Sequence, residues 1–254
     1  MGLNRQRGFT LIELVLASAL SVFLMLIVTM AYQANQQSYQ YQMAINAMHN
    51  SARYIAQIMS ARLSASDVDV AGGATLSLTG LGGTDSGNAA TDSVHVQYQM
   101  ANGTISLCNT AAALTSPSLV TPVSATANFS LATGLSGTNS LFCTSDGAET
   151  DPPVDAGQEL VEEVEHIRVL YGVNTNDVDA LTSVDQWVPW GAGLNTGNVL
   201  AIQVGFILRS ENAITRDFSD QVYNLLDVAL TKNDGRLRQS YSFTVALTSS
   251  LPVH

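Results

Sequence analysis

The chain has 254 residues, of which 46% are hydrophobic and only 12% charged, and its formal net charge at pH 7 is −11. That length accommodates a membrane-spanning helix and one globular domain of ordinary size. No lysine or arginine stands between Arg62 and Arg168, whereas twelve aspartates or glutamates do. Because an acidic surface of this kind repels phosphate backbones, direct nucleic-acid binding is not expected.

A short basic leader runs into a nearly uniform apolar segment at the N-terminus. Two arginines precede Gly8, and the apolar residues continue from Phe9 to about Tyr32. That stretch is long enough to span a bilayer as a helix, and the positive-inside rule keeps the leader in the cytoplasm. Glu13 lies inside the segment, where an unpaired charge costs roughly 2.5 kcal/mol or more. We therefore expect a specific function for Glu13.

The order of these residues closely resembles the type IV prepilin signature, in which a glycine precedes an aromatic N-terminus and a glutamate stands five residues into the mature chain. The resemblance implies that residues 1–8 are a leader, which a prepilin peptidase removes after Gly8. It also implies methylation of the new N-terminus at Phe9. Glu13 would neutralise the charged amine of a neighbouring subunit and set the axial register of assembly. An uncleaved signal anchor is the alternative.

A second helical pattern continues the first. Beyond the apolar segment, apolar residues recur at spacings of three and four, and neither proline nor glycine occurs between Phe9 and Leu63. This pattern predicts one helix over residues 9–63, which spans the membrane to about residue 32 and is amphipathic thereafter. The predicted buried stripe consists of Tyr41, Ile45, Met48, Ala52, Ile55, Met59 and Leu63.

Residues 64–254 are predicted to form a β-rich head. Asn102-Gly103 predicts a hairpin between strands Ser93–Met100 and Thr104–Cys108. Residues 217–230 are predicted to form a short helix or a loop. The chain as a whole is therefore predicted to be an α+β fold, with the long helix packed on a mainly antiparallel sheet. The predicted strands are Ala74–Thr79, Ser93–Met100, Thr104–Cys108, Val120–Val123, Asn128–Leu131, Ile167–Val173, Val199–Arg209 and Arg236–Leu247.

The chain contains two cysteines, Cys108 and Cys143. If the head lies outside the cytoplasmic membrane, where the compartment is oxidising, the pair is expected to form a disulfide. Two reduced, buried thiols are the alternative. No CxxC pattern or cysteine and histidine ligand set occurs in the sequence, so neither zinc nor another cofactor is expected.

One oxygen-rich stretch is a weak candidate for Ca²⁺. It lacks the central glycine and the terminal glutamate of an EF-hand loop, and a solvated turn is the alternative interpretation. The candidate ligands are Asn174, Asn176, Asp177, Asp179 and Asp185.

Three further features carry alternative interpretations. Trp187 and Trp190 could form an aromatic platform for a glycan or a partner pilin, or they could pack on the core. The triplet Asp85-Ser86-Gly87 resembles a serine-protease nucleophile loop, but turn chemistry explains it. The four histidines share no ligand spacing.

The C-terminal half is similar to PilW-type minor pilins over Val161–Asp177, Val199–Ser210 and Phe243–Leu247. The resemblance implies a minor pilin, not an enzyme, that initiates and assembles the type IV pilus in a complex at its tip. The implied partners are other minor pilins, the major pilin, the prepilin peptidase and the inner-membrane assembly platform. The implied location is the inner membrane, with the head in the periplasm, and then the extracellular pilus. The alternatives are a J-type pseudopilin of type II secretion and a tip adhesin that binds a surface ligand through residues 109–150.

Overall fold

The computed structural model describes residues 10–65, 81–86, 91–100, 103–105, 108, 114–116, 123–147, 157–175, 183–191, 194, 198–214 and 220–247. The leader and the predicted strand Ala74–Thr79 lie outside these residues. The chain divides into two compact units, the first ending at Asn46 and the second starting at Ala47.

Helix α1 extends from Leu11 to Ala65 and confirms the prediction of one long helix. In the first unit its large apolar side chains are exposed. Ser18 and Ser21 are accommodated there because each hydroxyl donates to a backbone carbonyl one turn earlier, at 2.9 and 2.8 Å. In the second unit the helix buries part of the predicted stripe. Tyr41 and Ile45 stay outside the core, and the buried members are Met48, Ala52, Ile55, Met59 and Leu63.

A five-stranded antiparallel sheet has the strand order β1-β2-β5-β6-β7. Two very short strands, β3 and β4, pair with each other. The bounds are β1 Leu81–Thr84, β2 Ser93–Met100, β3 Gly103–Ile105, β4 Leu114–Ser116, β5 Val123–Thr133, β6 Asn139–Gly147 and β7 Gln158–Glu162.

The predicted hairpin around Asn102-Gly103 is wrong. Strand β2 pairs with β5 over seven residue pairs on one side, and with β1 over the four residues Ser93 to Val96 on the other. β3 pairs with β4 instead. The longer ladder with β5 buries Val94, Val96 and Phe129, which a hairpin with a three-residue strand could not match.

A four-stranded antiparallel sheet has the order β13-β10-β8-β9, and a hairpin of β11 and β12 lies beside it. The predicted strands Ile167–Val173, Val199–Arg209 and Arg236–Leu247 are confirmed. The bounds are β8 Val164–Val173, β9 Gln186–Pro189, β10 Val199–Ala213, β11 Gln221–Leu225, β12 Val228–Lys232 and β13 Arg236–Ala246.

The helix and the hairpin contact opposite faces of the four-stranded sheet. On one face, Phe206 stacks on Tyr241, and the Tyr241 hydroxyl lies 3.4 Å from Nδ1 of His49 on the helix. Gly205 and Ile207 point to the other face because side chains alternate along a strand. There Ile207 packs against the hairpin residues Leu225 and Val228.

Residues 217–230 were predicted as a short helix or a loop, and this prediction is wrong, since β11 and β12 form a hairpin. Its turn holds Leu226 at φ 54°, a left-handed conformation that is unfavourable for leucine. The two-residue loop between Leu225 and Val228 requires a positive φ at its first residue. The side chain of Leu226 then lies close to Gly205, where an added Cβ would be 2.9 Å from Cγ of Leu226. Glycine at this position lets the turn reach the sheet.

We expect Gly205→Ala to destabilise the head by about 1–3 kcal/mol, because the new methyl group overlaps Leu225 and Leu226. Chemical denaturation of the full-length protein in detergent measures the loss, and amide hydrogen exchange should accelerate across Gln221–Lys232. Gly191→Ala is the matched control, because none of the described residues comes within 4 Å of its added Cβ. Equal effects of the two substitutions would contradict the explanation.

Candidate assembly site

The start of helix α1 is closed by a reciprocal cap between Thr10 and Glu13. The backbone N–H and the hydroxyl of Thr10 both donate to Oε2 of Glu13 at 3.0 Å. In return, the backbone N–H of Glu13 donates to the Thr10 hydroxyl at 3.4 Å. This arrangement is a capping box, which satisfies N–H groups that the first helical turn leaves without partners.

Sequence reasoning missed the role of Thr10. The signal was present, since a threonine followed three residues later by a glutamate at the start of an apolar run is the sequence signature of a capping box. Glu13 was assigned only from its offset to Gly8. The structure adds that one carboxylate oxygen of Glu13 is used within the chain. None of the described residues donates to the other oxygen, Oε1. Gly8 and Phe9 lie outside the described residues.

The helix beyond the cap is apolar on every side. Among the described residues, the segment Leu11–Ser64 is long and apolar enough to cross a membrane. Its most apolar part is not buried against any other part of the chain that the structure describes. Side chains from Leu11 to Met30 therefore need lipid or other helices as their surroundings.

The head holds a buried arginine with three acidic partners. Arg168 on β8 donates from Nε and Nη2 to Asp227 at 2.8 and 2.7 Å, and from Nη1 to Asp85 and, at 3.2 Å, to Asp92. Asp92 is itself buried and accepts the backbone N–H of Val169 at 3.0 Å. The cluster joins the segment between β1 and β2, strand β8 and the turn between β11 and β12.

Ser86 belongs to the same cluster. Its hydroxyl donates to Asp92 at 2.8 Å and accepts the N–H of Thr91 at 2.7 Å. The hydroxyl is thus engaged with a carboxylate and the backbone, which is turn chemistry. The remaining member of the triplet, Gly87, lies outside the described residues.

A second group of ion pairs connects β8, β12 and β13. Arg238 donates to Glu165 at 2.5 Å and to Asp234 at 2.5 and 2.7 Å, and Lys232 lies 3.0 Å from Glu165. The hydrogen bonds from Arg238 hold the pKa of Asp234 well below its ordinary value. Burial raises the pKa of Glu165, but the hydrogen bonds and charges of Arg238 and Lys232 outweigh burial and leave it lowered.

The disulfide predicted between Cys108 and Cys143 is present. Both residues are buried, and Cys143 lies in the middle of β6. The bridge closes a loop with a sequence separation of 35 residues. In the chain-entropy model a loop of this length gives roughly 3.5–4 kcal/mol of stabilisation. Its role is to hold the connection after β3 against the five-stranded sheet.

The described members of the Ca²⁺ candidate stretch serve its backbone. The Asn174 side-chain amide donates to the Ser183 carbonyl at 3.1 Å, and Asp185 accepts the N–H of Thr175 at 3.2 Å. These bonds fasten the two ends of the loop. Among the described residues no group of three or more metal-binding side chains comes together. The other candidate ligands, Asn176, Asp177 and Asp179, lie outside the described residues.

The two tryptophans pack against the four-stranded sheet. The ring of Trp187 on β9 lies against Gly172, where an added Cβ would come within 3.0 Å of it. The ring centroid of Trp190 lies 5.3 Å from that of the buried Tyr171. Trp187 keeps 38% of its surface exposed. Both rings thus cover strand β8 at its β9 side.

Two family models match the chain. The model of the Type IV Pilus-assembly protein W matches residues 128–249, and the prokaryotic N-terminal methylation motif matches residues 3–29. Among solved structures, the chain is similar to a type IV-like pilin from Thermus thermophilus, with 15% identity and a TM-score of 0.51. That similarity covers 81% of this chain and 97% of the other. No curated protein sequence matches significantly.

The long apolar helix, the antiparallel sheets and the methylation motif define a type IV pilin-like protein with an α+β pilin fold. Within that class, the match over residues 128–249, together with the methylation motif, supports a pilin of the PilW type. Family and fold are structural rather than enzymatic, and they fit a membrane-anchored subunit with a role in pilus assembly.

The ion pairs predict loss of stability in acid. Hydrogen bonds from arginines lower the pKa of Asp227 and Asp234 below the ordinary value of 3.8, and the pKa of Glu165 lies below 4.5. Because these pKa values are lower in the folded state, the carboxylates stabilise the head fully above about pH 5, and that contribution disappears as the pH falls from about 4 through the folded-state values.

Chemical denaturation between pH 7 and pH 2 measures this dependence. Asp234→Asn should lower stability at pH 7 and flatten the decline below pH 4. Glu211→Gln is the control, because Glu211 is exposed and pairs with no residue that the structure describes. A wild-type stability that stays constant down to pH 2 would show that the ion pairs contribute nothing.

Proposed function

We propose that this chain is a minor pilin that helps to initiate and assemble the type IV pilus as part of a minor-pilin complex at the pilus tip. Prepilin peptidase removes residues 1–8, and Phe9 becomes the methylated N-terminus. Before assembly, the protein resides in the inner membrane, which it crosses once, with its head in the periplasm. It then joins other minor pilins, the major pilin and the assembly platform.

The observation that carries this proposal is the cap at the start of the helix. Oε2 of Glu13 accepts both bonds from Thr10, which holds the carboxylate at the start of the helix. A carboxylate has about four acceptor positions, so Oε1 can accept a further donor. The charged amine of a neighbouring subunit's Phe9 is a donor of the right sign.

The free-energy cost of leaving two charges unpaired favours that pairing inside a membrane. An unpaired glutamate and an unpaired terminal amine are each unfavourable in hydrocarbon, and each removes the cost of the other when two helices lie side by side. The exposed apolar surface of α1 allows such close approach along its whole first half. Glu13 therefore sets the axial position of one helix against the next.

The match to the PilW model favours a pilus over a secretion system. Neighbouring genes for other minor pilins support the pilus, whereas genes for secretion-channel components would support a J-type pseudopilin. A deletion strain separates assembly from adhesion, since loss of pili indicates assembly and piliated but non-adherent cells indicate a tip adhesin.

We expect Glu13→Val to be cleaved after Gly8 and retained in the membrane, but to enter pili several-fold less than the wild type. The mass of the mature protein measures processing, and immunodetection in sheared pili measures incorporation. The reason is that valine removes the partner of the neighbouring amine without removing any apolar surface.

Thr10→Val is the matched variant, because it removes the side-chain half of the cap and keeps the carboxylate. Loss of this half of the cap costs about 1 kcal/mol of helix stability. Incorporation of Thr10→Val into pili should therefore fall less than that of Glu13→Val. Normal pilus incorporation of Glu13→Val would refute the proposed role of Glu13.

A further inference from the structure

The outer edge of the four-stranded sheet is formed by β13, and none of the other described strands pairs with its free side. On its paired side, β13 is in regular register with β10 from Arg238 to Ala246, and the next residue, Leu247, donates to the Leu200 carbonyl at 2.8 Å. Backbone groups alternate in direction along an antiparallel ladder. Counting from Leu247, the residues whose N–H and C=O point away from β10 are Ser240, Ser242, Thr244 and Ala246.

The other edges of the two large sheets are protected against pairing. Strand β1 has four residues including two glycines, β9 has four residues and ends in proline, and β7 has five residues including two glutamates. Short strands, prolines and charges are features that prevent edge-to-edge association. The segment Gln239–Ala246 has none of them, since it contains eight residues without a charge, a proline or a register shift.

The side chains of this segment are arranged symmetrically about Ser242. The hydroxyl residues Ser240 and Thr244 stand two positions away on either side, and the aromatic residues Tyr241 and Phe243 stand one position away. The hydroxyl residues are exposed and the aromatic residues are half-buried. A strand with such a pattern is complementary to a second copy of itself in antiparallel orientation.

We propose that the β13 edge is a pairing surface for β13 of a second copy of this chain, with a two-fold axis through Ser242. In that register Ser242 faces its own counterpart, and Ser240 faces Thr244 of the second copy. Tyr241 faces Phe243 of the second copy, so that the aromatic rings cover each other. The edge carries no charge, so two acidic heads meet there without like charges in opposition.

The two-fold axis fixes what kind of contact this is. An axis perpendicular to the sheet reverses every direction within the sheet plane, including that of the helix segment that packs on it. The two helices consequently run antiparallel. The pairing is therefore distinct from the side-by-side helix contact in the proposed function.

Site-specific crosslinking of the full chain in detergent micelles tests the register. Ser242→Cys should form a disulfide-linked dimer under mild oxidation, because opposed hydrogen-bonded residues have Cα atoms about 5.5 Å apart, within disulfide reach. Ser240→Cys and Thr244→Cys should crosslink to each other when the two variants are mixed. Each variant alone should crosslink at least about fivefold less, because the same position in the two copies is then four residues out of register. Peptide mapping confirms that the new bond does not involve Cys108 or Cys143.

Ser242→Pro, added to both members of the mixed Ser240→Cys and Thr244→Cys pair, should abolish their crosslink. Proline removes an outward N–H at position 242, while the bonds from β13 to β10 remain. Ser242→Ala keeps that N–H and should crosslink normally. If the proline variant does not fold, Ser242→Lys gives the same test by placing like charges opposite each other. Equal crosslinking at all three positions, or none at position 242, would overturn the proposal.

Discussion

The buried guanidinium of Arg168 is the charge around which the head is arranged. Its side chain is only 4% exposed, and a charge removed from water is tolerable only where opposite charges and hydrogen bonds replace the solvent. Asp85, Asp92 and Asp227 provide that replacement from separate parts of the chain. Satisfying one arginine therefore fixes the β1–β2 connection and the β11–β12 turn against β8. Removing it would leave Asp92 buried without its counter-charge, which is why the cluster constrains the whole head.

Strand β8 can hold this charge because both of its faces are covered. All ten of its residues are buried, and the sheet to which it belongs contacts the helix on one face and the β11–β12 hairpin on the other. Glu163, at φ 61°, makes the corner between β7 and β8, and its carbonyl accepts the N–H of Arg209. The chain thus passes from one sheet to the other at a residue that β10 holds in place. Packing and ion pairing act on the same strand.

The sequence predicts what depends on periodicity and cannot predict what depends on tertiary partners. The long helix and strands β8, β10 and β13 were foreseen because their apolar residues recur at regular spacing. Strands β5 and β6 were underestimated because small residues mask the alternation, although Ala127 and Phe129 are buried in turn. The hairpin at residues 221–232 was missed because its turn depends on space at Gly205, 21 residues away from Leu226 in sequence. The partners of Arg168 carry no local signal, whereas the cap of Thr10 on Glu13 does.

The helix has an exposed half and a buried half, and this division determines which parts of the chain can select a partner subunit. Lipid tails are as apolar as leucine, so helices within a membrane gain no hydrophobic stabilisation from meeting one another. The exposed run from Leu11 to Met30 therefore permits association with many helices but selects none of them. Selection has to come from polar groups that are costly to leave unpaired, of which Glu13 is the one in the run that carries a charge, and from the surfaces of the head. On the head, the strand edge of β13 offers directional hydrogen bonds, and backbone pairing in a fixed register is a contact that an apolar helix cannot supply.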